Sequence, residues 1–168
     1  MAISLAVLAY LAFEDRPKAI VRWTGQLPGP DLMSVERLIQ SVLPQYGLYE
    51  TTVTSARRTS RDQARIMLGN FTRKGENPEY LRSLYRNKTV IEALLSVPYT
   101  VEDWTEVIDG FAKQGIYVSS HQTGKALDFR VRDLSAQMRA ALVSALAHVA
   151  RLIGGRILDE GDHIHLEW

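Results

Sequence analysis

The chain has 168 residues, of which 46% are hydrophobic and 23% are charged, with a net charge of +1 and no cysteine. This length and composition are typical of a single globular domain with a substantial core. A net charge close to zero excludes a general electrostatic attraction to nucleic acid or to an anionic membrane. The lack of cysteine excludes disulfides and thiolate ligands, so a metal site in this chain must use His, Asp and Glu.

The N-terminal part of the chain begins with an apolar run at residues 1–13, which a charged stretch at 14–18 ends. The run is shorter than the ~20 residues that a membrane-spanning helix requires, so we expect no stable membrane insertion. It also lacks the preceding basic residues and the small-residue cleavage site of a clear secretory signal. We interpret it as a buried helix or strand, with an atypical export segment as the alternative. Residues 25–30, rich in Gly and Pro, are predicted to form a loop that closes an N-terminal segment spanning 1–30.

The remaining chain alternates between helical and strand patterns. Apolar residues at steps of three and four, with capping residues before them and Gly or Pro after them, predict the helices. In chain order, helices are predicted at residues 31–45, 60–68, 78–85, 89–95, 100–114 and 135–153. Alternating and β-branched residues predict strands at 48–55, 117–119, 125–131, 156–158 and 163–168, and residues 69–77 are predicted to form a polar loop. We therefore predict a single α+β domain, residues 1–168, with helices packed on a small antiparallel sheet.

Candidate metal ligands occur in two separate stretches of the sequence. His121 is followed seven residues later by Asp128, and the C-terminal strand carries His163, His165 and Glu167 at alternating positions. Alternate residues of a strand share a face, so Asp128 and His165 converge if their two strands are neighbours, and His121 reaches them from the preceding loop. Two His and one Asp, with a fourth position left to water, are typical of a catalytic Zn²⁺ site. Two roles are open for Glu167. It is either a residue that supports a ligand or faces solvent, or a fourth ligand of the metal.

The pattern Ser-x-His-x-x-Gly-x-Ala-x-Asp at residues 119–128 resembles the signature of a family of zinc peptidases. The family contains the D-Ala-D-Ala carboxypeptidases and peptidoglycan endopeptidases of the VanX and VanY type and the phage endolysin peptidases, which share a hedgehog-like zinc fold. The resemblance implies that His121 and Asp128 bind zinc and that His165 is the third ligand. It further implies that Asp162, three residues before His165, is the general base. His163 shares the face of His165 and is a candidate proton shuttle or hydrogen-bond donor to the transition state.

A second element of the same family precedes this motif. Ser-Ala-Arg-Arg-Thr at residues 55–59 is similar to the family's Ser-Gly-Tyr-Arg-Ser, and Gln63 follows as a Gln does in the family. The alignment implies that Arg58 stabilises the oxyanion, although Ala56 and Arg57 depart from the usual Gly-Tyr. By chemistry alone Arg57 is the alternative, and the spacing to Gln63 favours Arg58. Gln63 is a candidate substrate contact, with helix capping as the plainer role. Ser119 is expected to touch substrate or to fix the ligand loop.

The function implied by this resemblance is zinc-assisted amide hydrolysis in the peptide of bacterial peptidoglycan. The bond is either a terminal D-Ala-D-Ala linkage or an internal one such as L-Ala-D-Glu, and the family-like core covers residues 53–168. We expect such an enzyme to act in the periplasm or cell wall. No separate wall-binding module is recognisable, so targeting would depend on this domain, on a partner, or on a larger assembly such as a phage particle or lysis system. The alternative is a non-catalytic metal-binding interaction domain on the same fold.

Overall fold

The computed structural model describes residues 17–24, 30–85 and 87–168, and these form the predicted α+β structure. The predictions for residues 1–13 and 25–29 lie outside the described residues. The strands are β1 (Ile20–Trp23), β2 (Glu50–Ser55), β3 (Ala126–Arg130), β4 (Arg156–Asp159) and β5 (His163–Glu167). The helices are α1 (Pro30–Val42), α2 (Ser60–Arg73), α3 (Pro78–Leu84), α4 (Lys88–Leu95), α5 (Val101–Ala112) and α6 (Ala136–Ile153). Within this part of the chain, no helix combines the length and the apolarity needed to cross a bilayer.

The described chain divides into two compact units. The sheet unit consists of the residues up to Ala56 together with Gly124–Trp168, and it contains the five strands, α1 and α6. The helical unit, Arg57–Thr123, contains α2 to α5 and ends in a short 3-10 turn at Ser120–Thr123.

The sheet has the strand order β1-β2-β3-β5-β4 and is mixed rather than antiparallel. The pairs β2–β3, β3–β5 and β4–β5 are antiparallel as predicted, whereas β1 pairs with β2 in parallel. The prediction of a purely antiparallel sheet is therefore wrong for this pair. The physical reason is the connection, because α1 joins β1 to β2 and a helical crossover brings two strands together in the same direction.

The core of the sheet unit lies between the sheet and its two helices. In α6, Leu142, Leu146 and Val149 are buried at steps of four and three, which confirms the predicted periodicity. Burying each such side chain contributes about 1.5–3 kcal/mol. The helix begins as predicted, with the Ser135 side chain accepting the N–H of Met138, and it ends at a left-handed glycine.

The helical unit has a core of its own. Its largest fully buried side chains are Phe71, Met67, Leu81, Ile91, Leu94, Trp104 and Ile108. The prediction of a polar loop from residue 69 is wrong for its first five residues, because α2 continues to Arg73. Phe71 explains the extension, since keeping it helical places a large aromatic ring in this core at the modest cost of about 1 kcal/mol for the internal glycine.

The predicted strand at residues 117–119 does not form. Instead, the side-chain oxygen of Gln122 accepts hydrogen bonds from the backbone N–H groups of Val118 (3.0 Å) and Ser119 (3.3 Å). Donors that are bonded locally are not available to a neighbouring strand. The chain therefore enters the 3-10 turn that carries His121 from an irregular segment.

Candidate metal centre

The register of β3 and β5 brings the predicted ligands of the sheet unit together. Asp128 is paired with His165, and the flanking pairs are Ala126 with Glu167 and Arg130 with His163. The condition for their convergence, that these two strands are neighbours, is therefore met. Because paired residues of adjacent strands point to the same face, one face of the sheet carries a carboxylate and two imidazoles. Asp128 Oδ1 lies 2.8 Å from His165 Nδ1, and both residues are buried.

The neighbouring strand β2 supports Asp128 from the other side. The pairing of β2 with β3 shifts between Val53 and Ser55, where Ser55 is opposite Asp128. Such irregularities re-aim a strand locally and are frequent beside functional sites. In addition, the hydroxyl of Thr54 donates to the backbone carbonyl of Asp128 over 3.3 Å. The carboxylate therefore projects from a backbone that is held on both edges.

His121 is positioned by the 3-10 turn that precedes β3. Its backbone N–H donates to the hydroxyl of Ser119 (3.3 Å), and its carbonyl accepts the N–H of Arg58 (3.1 Å). Gly124 follows the turn with φ +70°, a conformation that residues with a side chain rarely adopt. The side chain is almost completely buried, with His121 only 2% exposed.

Ligand atoms of His121, Asp128 and His165 all lie within 4.8 Å of one another, so the three buried residues can hold a metal ion. The donor set fits a divalent ion chemically. Imidazole nitrogens and carboxylate oxygens are both among the donors that bind Zn²⁺ in proteins.

Carboxylates determine the ionisation of the two strand histidines. For His165, burial lowers the pKa, but hydrogen bonds to Asp128 and Glu167 and the charges of Asp128 and Glu160 outweigh it, so the pKa is raised above the ordinary value of 6.5. For His163, the hydrogen bond to Glu160, followed by the charge of Asp128 and the bond to Asp162, raises the pKa to about 9 against the effect of burial. In the metal-free protein both rings are thus stabilised in the charged form.

The predicted base, Asp162, contacts the site through His163. Its Oδ1 lies 2.6 Å from His163 Nδ1, and 77% of its side chain is exposed. The opposite ring nitrogen, Nε2, lies 3.6 Å from Asp128 Oδ1. The imidazole of His163 therefore bridges the exposed carboxylate and the buried ligand cluster.

Glu160 is a site residue that the sequence analysis missed. Its Oε2 lies 3.3 Å from His163 Nε2, and its backbone N–H donates to the carbonyl of His163 over 3.0 Å. The sequence showed it only as one of several acidic residues in the turn before β5, and no spacing distinguished it from Asp162.

Three further residues were predicted to take part in the site. For Arg58, the backbone bond to His121 places the residue beside the ligand turn. Ser119 supports that turn through its hydroxyl, which is one of the two roles expected of it. Gln63 does not cap α2, because Thr59 is the cap and pairs with Asp62. Its side chain is fully buried, and among the described residues its amide N and O have no hydrogen-bond partner.

Comparison of the chain with protein-family models, with curated proteins and with solved structures gives no match.

Proposed function

We propose that this protein is a metal-dependent amide hydrolase, and specifically a zinc peptidase that cleaves a peptide of bacterial peptidoglycan. The observation that carries the proposal is the convergence of His121, Asp128 and His165, which are buried and within 4.8 Å of one another although they come from distant parts of the sequence. Their order and spacing also resemble the signature of the zinc peptidase family described above. We assign zinc because a His, Asp and His donor set without thiolates is typical of its catalytic sites.

The arrangement favours a catalytic over a purely structural metal. Structural zinc sites are closed by four protein ligands, whereas catalytic sites keep one position open. Among the described residues, the group of nitrogen and carboxylate ligands contains three members. A histidine held by two further carboxylates lies next to Asp128, which supplies the proton-transfer groups that a structural site does not need.

We assign the chemical roles as follows. His121, Asp128 and His165 would hold the zinc ion, which would act as a Lewis acid and provide a nucleophilic water near neutral pH. Asp162 is the general base and works with His163, whose Nδ1 it contacts and whose Nε2 is directed toward Asp128. Arg58 stabilises negative charge on the carbonyl oxygen, a role for which the fixed donors of a guanidinium are suited.

Gln63 and Ser119 are proposed as substrate contacts. An unpaired buried amide costs about 1–3 kcal/mol, so the amide of Gln63 requires an explanation that a hydrogen bond to substrate would provide. The substrate class follows from the resemblance alone, with a terminal D-Ala-D-Ala bond and an internal L-Ala-D-Glu bond as the two candidates. With a cell-wall substrate, the enzyme acts in the periplasm or cell wall. It belongs to a bacterial or phage-encoded system that lyses or remodels the wall. We also propose that the chain has the hedgehog-like fold of that family.

The test is hydrolysis of purified muropeptides by the zinc-loaded protein, with the products identified by mass spectrometry. We expect one amide bond to be cut, no cleavage in excess chelator, and recovery when zinc is returned. His148→Ala is a matched control, because this histidine lies in the sheet unit but contacts Tyr46 rather than the ligand cluster. If the zinc-loaded protein cuts no muropeptide, the peptidase proposal is wrong and the metal-binding interaction domain takes its place.

A further inference from the structure

Glu167, the last residue of β5, is held against His165 by its position in the sheet. It follows His165 by two residues and therefore lies on the same face. Its Oε2 lies 3.4 Å from His165 Nε2, and only 13% of its side chain is exposed. Glutamate side chains are seldom buried to this degree without a partner, which points to a specific function for this carboxylate.

The carboxylate has a second partner that fixes its orientation. Arg156 of β4 is paired with Glu167 in the register of the hairpin, and its Nε donates to Glu167 Oε1. The backbone is equally constrained, because a Cβ on Gly155 would lie 2.2 Å from the carbonyl oxygen of Glu167. The ion pair with Arg156 therefore orients the carboxylate of Glu167 within the β4–β5 pairing.

The two nitrogens of His165 face different groups. Nδ1 faces Asp128 at 2.8 Å and is the nitrogen directed into the ligand cluster, whereas Nε2 faces Glu167. A neutral imidazole that binds a metal through one nitrogen carries its proton on the other. In metal sites this second N–H almost always donates to a carboxylate, a carbonyl or water, which fixes the ring and raises its basicity.

We infer that Glu167 is a positioning residue of the metal centre. It accepts the Nε2–H of His165 and so holds Nδ1 toward the metal, and Arg156 holds Glu167 in place. This inference rests on the metal site of the proposed function but is independent of the substrate. It also decides between the two alternatives left open for this residue, because a carboxylate that faces the remote nitrogen supports a ligand rather than acting as a fourth one.

The experiment measures the affinity of the protein for Zn²⁺ and for Co²⁺ by competition with a chromophoric chelator. Glu167→Ala should weaken binding about 10–100-fold, the usual effect of losing such a partner. Glu167→Gln should weaken it less, because the amide oxygen still accepts the Nε2–H. Glu50→Gln is the matched control: Glu50 is also a strand carboxylate paired with an arginine, Arg22, and it should bind the metal as the wild type does.

A second measurement separates positioning from ligation. The visible spectrum of the Co²⁺ protein reports the ligands directly, so Glu167→Ala should keep the wild-type band shape at saturating metal. In the same protein, the Nε2 proton of His165, shifted by the paramagnetic ion, should exchange with solvent faster in the variant. If Glu167→Ala is folded and binds Zn²⁺ within about twofold of the wild type, the inference is wrong. A changed Co²⁺ spectrum would likewise overturn it in favour of direct ligation.

The two proposals fail in different ways. A wild-type protein that binds zinc and loses affinity in Glu167→Ala, yet cuts no muropeptide, supports the positioning role and refutes the peptidase. A protein that cuts muropeptides and keeps full zinc affinity in Glu167→Ala refutes the positioning role alone. Should Glu167→Ala not fold, the zinc affinity of the milder variant Glu167→Gln is compared with that of Glu50→Gln. A lower affinity in Glu167→Gln supports the positioning role, and an equal affinity refutes it.

Discussion

Raising the pH should destabilise the metal-free protein through His163. Three carboxylate oxygens surround this ring: Asp162 Oδ1 lies 2.6 Å from Nδ1, and Glu160 Oε2 and Asp128 Oδ1 lie 3.3 Å and 3.6 Å from Nε2. The hydrogen bond to Glu160 is the largest influence, and together these groups raise the pKa from 6.5 to about 9. The folded chain therefore binds this proton more tightly than the unfolded chain does.

The size and sign of the effect follow from linkage. The folded and unfolded pKa values differ by about 2.5, which corresponds to about 3–4 kcal/mol at ~1.4 kcal/mol per pKa unit. Since the folded value is the higher one, this stabilisation is complete below pH 6.5, declines as the pH rises, and is lost above about pH 9. His165 adds a contribution of the same sign, because its pKa is also raised.

The assay is urea unfolding of chelator-treated protein at about pH 6 and about pH 9.5. The first pH is below the pKa of His163 in the unfolded chain, and the second is above its pKa in the folded chain. Between these conditions the wild type should lose about 3 kcal/mol more free energy of unfolding than His163→Gln. His148→Gln, the control in the same unit, should follow the wild type. Equal pH dependence in the wild type and His163→Gln would refute the reasoning.

Three other predictions concern the metal and the β4–β5 hairpin. Zinc should reverse the pH trend, because protons compete for the histidine ligands; the rise in Tm on adding zinc should grow from about pH 6 to about pH 8, and a constant rise would contradict the site. Asp162→Ala should keep zinc by metal analysis and lose muropeptide hydrolysis, whereas His121→Ala should lose both; equal zinc loss would make Asp162 a ligand. Gly155→Ala should lower the free energy of unfolding in urea by about 1–3 kcal/mol, because its Cβ would lie 2.2 Å from the carbonyl oxygen of Glu167. The control Gly69→Ala should be neutral or stabilising, because its Cβ would have no neighbour within 4 Å. Equal effects of the two substitutions would contradict this packing.

Local patterns in the sequence predicted most of the secondary structure. The periodicity of α6 and its Ser135 cap depend on neighbouring residues only, and both are confirmed. Strands β3 and β5, which carry Asp128 and His165, were predicted from their alternating and β-branched residues. The convergence of the two residues was conditional on these strands being neighbours, and the observed register meets that condition.

The features that the sequence did not predict depend on contacts between distant residues. β1 is a four-residue strand whose parallel partner is supplied by a crossover through α1, and nothing within Ile20–Trp23 specifies that pairing. The segment at 117–119 has strand-like composition, but the side chain of Gln122 takes up its backbone donors. Glu160 reaches His163 only because the turn after β4 folds back, which spacing along the sequence cannot reveal.

The proposed metal centre is one divalent ion bound by His121, Asp128 and His165. The most direct test is the zinc stoichiometry and affinity of the wild type and of the three single alanine variants, with His148→Ala as control. We expect one zinc per chain in the wild type and the control, and a loss of tight binding in each of the three variants. Wild-type affinity in any one of those three would contradict the proposed metal centre.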